Sequence, residues 1–159
     1  MLQPAAASIA QQMGARVKVE DDGVSVARGE MMAVSADLKD AIDLLPPLSA
    51  VASLCRGESS ISGVERARFK ESDRVLAMKE NLERMGIGVR LDDDRLFIRG
   101  GAPGQAVVQS YNDHRIAMAF SIIGAAKGGV AIEGAECVSK TYPGYWDTLK
   151  DLGVRLSEQ

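Results

Sequence analysis

An internal repeat is the feature that most constrains the fold. Residues 12–29 read QMGARVKVEDDGVSVARG and match residues 84–101, which read RMGIGVRLDDDRLFIRGG. The two copies share a Met-Gly step, a central valine, paired aspartates and a closing glycine. A shortened third copy, DLGVRL, occupies residues 151–156. Recurrence at this spacing indicates one supersecondary unit that is used several times.

The middle copy contains the whole unit. Strand patterns at residues 32–34 and 60–64 alternate with helix patterns at residues 43–55 and 71–85. Two further strands at residues 88–91 and 96–98 form a hairpin around paired aspartates. The unit is therefore βαβαββ, and we predict an α/β fold (α+β in some schemes) built from repeated βαβαββ units.

The flanking copies are shorter than the middle one. A helix at residues 4–13 and strands at 16–19 and 24–26 supply only the end of a unit, so the first unit is predicted to be truncated. The last copy has strands at 106–109 and 130–133 and helices at 113–126 and 143–152.

We therefore predict a single, incomplete domain over residues 1–159, with repeats at 1–31, 32–101 and 102–159. Truncation would leave an apolar helix face or a sheet edge open, which favours self-association or marginal stability.

Composition and charge exclude several classes of protein. Apolar residues make up 46% of the chain and aromatic residues 4%, which predicts a globular protein with an aliphatic core. A net charge of −3 and the lack of RNA-binding aromatic motifs argue against a nucleic-acid partner. No apolar run is long enough for a membrane span, and no signal pattern opens the chain. We predict a cytoplasmic protein with no membrane partner.

The cysteines and the histidine give little support for a metal site. Cys55 and Cys137 are isolated in apolar surroundings, which predicts two buried reduced thiols, with a disulfide or a metal site as the alternative. With one histidine and no Cys/His cluster, we predict no structural metal.

Four clusters of polar residues fall at predicted helix N-termini. They are Asp43, Lys70-Glu71 with Arg74, residues 112–115, and residues 139–141. Helix N-termini attract anions, and the helices of such repeats run roughly parallel, so these ends should meet. Four cations would then form a positive site for phosphate or carboxylate ligands: Lys70, Arg74, Arg115 and Lys140.

Each cluster also has a purely structural interpretation. Asp43, Asp73 and Asp113 suit helix caps, charge runs are commonly solvated surface, and a lone histidine such as His114 is commonly structural. However, each cation at a helix N-terminus opposes the helix dipole, at a cost of about a few tenths of a kcal/mol. Their repetition favours a bound anion. Glu71 and Asp43 lie among these cations and are candidate proton-transfer groups.

Three motifs resemble those of the 5-enolpyruvylshikimate-3-phosphate synthases, also called 3-phosphoshikimate 1-carboxyvinyltransferases. They are KESDR at 70–74, NDHRIAMA at 112–119, and KTYP at 140–143 followed by Tyr145 and Trp146. The combination is highly specific. The related UDP-N-acetylglucosamine enolpyruvyl transferases share the fold but are not expected to carry all three motifs.

The resemblance implies a two-domain enzyme whose domains are inside-out α/β structures of three βαβαββ units, with helix N-termini facing the interdomain cleft. This chain corresponds to most of the C-terminal domain. The family's N-terminal domain has a Lys-Ser motif, a Gly-Asn-Ala-Gly-Thr stretch and site arginines, none of which occurs here. The implied partners are that domain, phosphoenolpyruvate and shikimate 3-phosphate. No metal or organic cofactor is implied.

The resemblance also implies roles for single residues. Asp43 corresponds to the proton acceptor that binds shikimate 3-phosphate, and Glu71 to the carboxylate that moves a proton at the enolpyruvyl methylene. Lys70 corresponds to a shikimate 3-phosphate contact, and His114 to a supporting group. The implied phosphoenolpyruvate contacts are Arg74, Arg115 and Lys140. Arg66 stands where some members have a substrate-contacting asparagine, so it is given no role.

The implied reaction transfers the enolpyruvyl group of phosphoenolpyruvate to the 5-hydroxyl of shikimate 3-phosphate and releases phosphate through a tetrahedral intermediate. We expect this chain to carry half of the site and to be inactive alone. The alternative is a non-catalytic anion-binding module or an inert fragment. A different enolpyruvyl transferase is disfavoured by the motif set.

Overall fold

The computed structural model describes residues 4–27 and 29–157, which form a mixed α/β architecture, as the sequence predicts. The helices are α1 (Pro4–Gln12), α2 (Leu45–Leu54), α3 (Arg74–Arg84), α4 (His114–Lys127) and α5 (Tyr145–Asp151). The strands are β1 (Arg16–Glu20), β2 (Gly23–Ala27), β3 (Ser35–Asp37), β4 (Gly57–Ser62), β5 (Gly88–Asp92), β6 (Arg95–Gly100), β7 (Ala106–Gln109) and β8 (Val130–Glu133). Three 3₁₀ segments occupy Ile42–Leu44, Glu65–Phe69 and Ala135–Lys140.

The largest sheet has four strands in the order β3-β4-β6-β5. Strand β3 runs parallel to β4, whereas β6 is antiparallel to both β4 and β5. Leu96 and Ile98 alternate along β6 and are fully buried, which gives the sheet one apolar face. From β3 to β6 the chain order is strand, helix, strand, helix, strand, strand.

Two smaller sheets flank this unit. Strands β7 and β8 pair in parallel, with α4 connecting them. Strands β1 and β2 form an antiparallel hairpin whose register pairs Val17 with Val26, the counterparts of Val89 and Ile98 in the larger sheet. The environments differ, because Val26 is 64% exposed and Ile98 is fully buried. In the described chain nine of the ten strand residues of the hairpin are exposed, so the hairpin buries little apolar surface.

The core is aliphatic, as the composition predicts, and it is centred where α2 packs against α4. Pro46 lies in the first turn of α2, where a missing amide donor costs nothing. Cys55 and Cys137 are buried free thiols, as predicted. Among the described residues, no helix combines the length and apolar character needed to cross a bilayer.

Two predicted elements that precede β4 have the wrong boundaries. The strand expected at residues 32–34 lies at β3, and Met32 makes only an isolated bridge with Arg56. The helix expected at residues 43–55 is divided into a 3₁₀ turn, which contains Asp43, and α2. The periodic apolar pattern does not distinguish a 3₁₀ turn from the first turn of an α-helix, so the sequence extends the helix too far.

Two predicted helix starts are also wrong. Helix α3 begins at Arg74 rather than at residue 71, because the Asp73 carboxylate accepts a hydrogen bond from the Leu76 amide at 2.9 Å and caps the helix. Lys70 and Glu71 therefore lie in the loop before α3. Helix α5 begins at Tyr145, two residues after the predicted start. These shifts change how the candidate site is built.

Candidate functional site

Arg74, the first residue of α3, is the centre of the candidate site. Its Nε donates to Asp113 Oδ2 at 2.8 Å, Nη1 to Asp43 Oδ1 at 2.8 Å, and Nη2 to Glu71 Oε2 at 2.6 Å. The side chain is only 1% exposed. Burial alone would lower the pKa of Arg74, but hydrogen bonding and charge pairing with Asp113 outweigh it and raise the pKa. One buried guanidinium thus joins three carboxylates from separate parts of the chain.

Asp113 is the buried partner of Arg74, and it also caps α4. Its carboxylate accepts from the Arg115 amide at 2.9 Å and from Ser72 Oγ at 3.0 Å. Burial would raise the pKa of Asp113, but the bonds from Arg74, the Arg115 amide and Ser72 outweigh it and lower the pKa. The sequence indicates only a cap here, because nothing in the local motif shows that Arg74 reaches it. Asp113 is the site residue that sequence reasoning underestimates.

Asp43 lies among three cations rather than at a helix cap. Besides Arg74, its Oδ1 is 3.5 Å from Lys70 Nζ, and its Oδ2 is 3.4 Å from Arg115 Nη2. Burial would raise the pKa of Asp43, but the charges of Arg115, Lys70 and Arg74 outweigh it and lower the pKa. No side-chain cap bond is made at the 3₁₀ turn or at α2, so the capping interpretation of Asp43 is wrong.

The groups around the buried pair are accessible to solvent. The side chains of Lys70, Glu71 and Arg115 are 31%, 51% and 40% exposed, respectively. The Glu71 carboxylate accepts from Arg74 Nη2, and about half of the Glu71 side chain remains open to a ligand. The site therefore has a buried centre, formed by Arg74 and Asp113, and an exposed rim that carries both positive and negative side chains.

Lys140 joins this site through the loop before α4. It ends the 3₁₀ segment Ala135–Lys140, and its Nζ donates to Asn112 Oδ1 at 2.8 Å. The segment begins after Gly134, which has φ of 73°, and a Cβ there would lie 2.5 Å from Ser110 Oγ. Glycine is required here because only it fits this left-handed turn so close to Ser110.

His114 begins α4 and is half-buried between the two site residues Asp113 and Arg115. In the described part of the chain it takes no part in the ion-pair network around Arg74. Its supporting role therefore remains a prediction.

The charge balance of the cluster differs from the strongly positive patch that the helix N-termini suggest. Three of the four candidate cations pair with the carboxylates of Asp43, Glu71 or Asp113, namely Lys70, Arg74 and Arg115. An anionic ligand would therefore compete with Asp43 and Glu71 for these three cations. Within residues 4–27 and 29–157, no group of three or more His, Cys, Asp or Glu side chains could hold a metal ion.

Comparison with known proteins matches nearly the whole chain to one family. The family model described as EPSP synthase (3-phosphoshikimate 1-carboxyvinyltransferase) matches residues 2–149. A curated 3-phosphoshikimate 1-carboxyvinyltransferase of Dehalococcoides mccartyi is 49% identical over 91% of this chain and 34% of its own. One of Thermococcus kodakarensis is 49% identical over 89% of this chain and 36% of its own. The chain spans about a third of the length of these curated relatives.

Solved structures show the same likeness. An EPSP synthase from Acinetobacter baumannii superposes with a TM-score of 0.83 and 26% identity, covering 99% of this chain and 40% of that chain. The enolpyruvyl transferase NikO from Streptomyces tendae shares the fold, with a TM-score of 0.73 and 22% identity over 93% of this chain and 34% of that one.

Proposed function

The chain belongs to the EPSP synthase family, and on that basis we propose that it carries one half of an active site that transfers the enolpyruvyl group of phosphoenolpyruvate to shikimate 3-phosphate. The observation that carries the proposal is the cluster around Arg74, in which two accessible carboxylates, Asp43 and Glu71, lie among cations. Such a cluster can hold a multiply anionic substrate and move protons on it.

The proposal extends to the whole enzyme. The chain would belong to an inside-out α/β domain of βαβαββ units, the first of them incomplete, in a cytoplasmic enzyme. A facing domain of the longer polypeptide would supply the remaining substrate contacts. The share of the relatives' length that the chain covers, 34% for the Dehalococcoides mccartyi protein, supports this division. Alone, the chain would bind substrate weakly and would not turn it over.

Asp43 is proposed to accept the proton of the 5-hydroxyl group of shikimate 3-phosphate as the hydroxyl oxygen attacks phosphoenolpyruvate. The cations that lower the pKa of Asp43 include Lys70 and Arg115, the same groups proposed to hold the substrates' anionic groups. When these cations turn to a bound anion, Asp43 becomes a stronger base. Substrate binding and base activation would therefore be coupled.

Glu71 is proposed to give a proton to the methylene carbon of phosphoenolpyruvate in the addition step. The new C–O bond and the new methyl group together define the tetrahedral intermediate. In the elimination step the same carboxylate would take a proton back from the methyl group, as the C–O bond to phosphate breaks and phosphate leaves with the proton that Asp43 had accepted. Arg115 and Lys140 would stabilise the carboxylate and the departing phosphate.

The burial of Arg74 restricts how it could contact phosphoenolpyruvate. Because its guanidinium is 1% exposed and donates to three carboxylates, contact with phosphoenolpyruvate requires Glu71 to release Nη2. Arg74 is therefore proposed to contact substrate only in the arrangement where Glu71 has turned towards the methylene carbon.

Ligand titration followed by NMR tests the proposal against a non-catalytic anion-binding module and against an inert fragment. We expect phosphoenolpyruvate and shikimate 3-phosphate to shift the amides of residues 70–74, 113–116 and 140. Inorganic phosphate that produces the same shifts with equal affinity would favour the module. No shift at millimolar ligand would favour the inert fragment.

Two matched variants make the titration specific. Lys70→Met should weaken the binding of shikimate 3-phosphate, whereas Lys79→Met should not, because Lys79 pairs with Glu83 on the outer face of α3. Measurable enolpyruvyl transfer by the pure chain would contradict the half-site proposal.

A further inference from the structure

The loop between β7 and α4 has an uncommon backbone. Tyr111 and Asn112 are consecutive non-glycine residues in the left-handed region, with φ of 53° and 56°. Such conformations are strained and persist only where the surroundings hold them. Here the Tyr111 hydroxyl forms a hydrogen bond with the Glu80 carboxylate on α3. The backbone N–H of Asn112 donates to Ser110 Oγ at 3.1 Å.

This backbone connects Lys140 to the loop residue that precedes Asp113 of the Arg74 cluster. It places Asn112 Oδ1 2.8 Å from Lys140 Nζ, while the next residue, Asp113, accepts from Arg74 and caps α4. We infer that Asn112 is a positioning residue, whose amide oxygen holds the Lys140 ammonium group beside the Arg74 cluster before an anion binds. The inference rests on the proposed function for its purpose, but not for its geometry.

The neutral charge of the Asn112 side chain is the second observation behind the inference. The candidate cations Lys70, Arg74 and Arg115 all pair with carboxylates. In the described residues Lys140 is oriented instead by an amide oxygen. An amide accepts a hydrogen bond without neutralising the ammonium charge, whereas a carboxylate would compete with an incoming phosphate or carboxylate. Lys140 is thus ordered and still fully available to an anion.

The first test needs no ligand. Asn112→Gly is compatible with the left-handed backbone, since glycine adopts it freely, and removes the side chain with its amide group. Tyr111→Phe is the matched control, because it removes a hydrogen bond of the same loop without touching Lys140. Nitrogen NMR relaxation reports the mobility of the Lys140 ammonium group, whose signal is assigned with Lys140→Arg. The group should be more mobile in Asn112→Gly than in the unmodified chain. In Tyr111→Phe its mobility should equal that of the unmodified chain. Unchanged mobility in Asn112→Gly would overturn the inference.

The second test uses phosphoenolpyruvate as the probe. Asn112→Gly should weaken its binding about fivefold, the effect of losing one net hydrogen bond. In a Lys140→Met background the same change should have no further effect, because Asn112 acts through Lys140. Asn112→Asp should keep the ammonium group ordered but bind phosphoenolpyruvate more weakly than the unmodified chain. Independent, additive effects of Asn112→Gly and Lys140→Met would overturn the inference.

The two tests separate the two proposals. If the unmodified chain shows no shift with phosphoenolpyruvate, the proposed function fails, and the ammonium relaxation still decides whether Asn112 positions Lys140.

Discussion

Arg74 and Asp113 show how a buried charge is tolerated in a small aliphatic core. Both side chains are almost completely buried, and Arg74 Nε donates to Asp113 Oδ2 at 2.8 Å. A buried ion pair adds little stability compared with an apolar contact, but removing one partner leaves the other charge buried and unpaired. The pair is therefore a place where single substitutions should have large effects.

Asp113→Ala should lower the free energy of unfolding by about 3–5 kcal/mol, because Arg74 loses its counterion and α4 loses its cap. Urea denaturation followed by circular dichroism measures the change. Asp73→Ala is the matched control, since Asp73 also caps a helix and pairs with an arginine, Arg68, but is partly exposed. It should cost about 1 kcal/mol. Equal losses would contradict the structural account of Asp113.

Acid should weaken the same pair. The folded-state pKa of Asp113 is held below its ordinary value of 3.8, because the bonds from Arg74 outweigh the effect of burial. A carboxyl group with a lowered folded pKa adds stability above its unfolded pKa, and that stability is lost as pH falls through the folded value. The unmodified chain should therefore exceed Asp113→Asn in stability at neutral pH, and the difference should shrink below pH of about 4. Urea unfolding over a pH series measures it, and a constant difference would contradict the prediction.

At the scale of elements, the sequence predicts those that have a regular pattern. Strands β7 and β8 lie where alternation places them, and α4 agrees within one residue at each end. The loop that carries Glu71 is mistaken for a helix, because the apolar pattern of α3 does not show that Asp73 caps the helix just before Arg74. The pairing of Arg74 with Asp113 depends on how α3 packs beside α4, which no local pattern of residues contains.

The repeat offers a direct comparison of two equivalent strand positions. Val26→Ala should change the free energy of unfolding by less than about 0.5 kcal/mol, because the side chain is mostly exposed. Ile98→Ala, at the equivalent position in β6, should cost about 2–5 kcal/mol, because it leaves a cavity in the core. Chemical denaturation of both variants measures the two changes in the free energy of unfolding. A large loss for Val26→Ala would show that the hairpin packs against something in solution, such as a second copy of the chain.

For the whole molecule, the accessible rim of the site is the surface that the facing domain is proposed to cover. Lys70, Glu71 and Arg115 are all partly exposed, and their charges face solvent in this chain. The structure brings Lys70, Glu71 and Arg115 together around Asp43 and Arg74, and that these residues form a functional site stays a prediction. The sharing of the cations by three carboxylates could not be predicted, because it depends on distances between separate segments.

Complementation tests the half-site at this scale. Adding the part of the Dehalococcoides mccartyi relative that this chain does not match should restore enolpyruvyl transfer, measured as phosphate release, once co-purification shows that the two parts associate. Glu71→Gln should abolish this activity, because it removes the proposed proton-transfer group. Glu83→Gln, on the exposed face of α3, should leave it unchanged. Association without transfer by the unmodified pair would contradict the proposed function.

The exposed hairpin of β1 and β2 also has a consequence for the handling of the protein. Nearly all its residues are exposed, and a two-stranded hairpin without an apolar layer opens at little free-energy cost. Proteases cleave segments that open locally, and β1 contains two basic residues, Arg16 and Lys18. A brief tryptic digest should therefore cut there first, and the large fragment that accumulates would keep the four-stranded sheet and the cluster around Arg74.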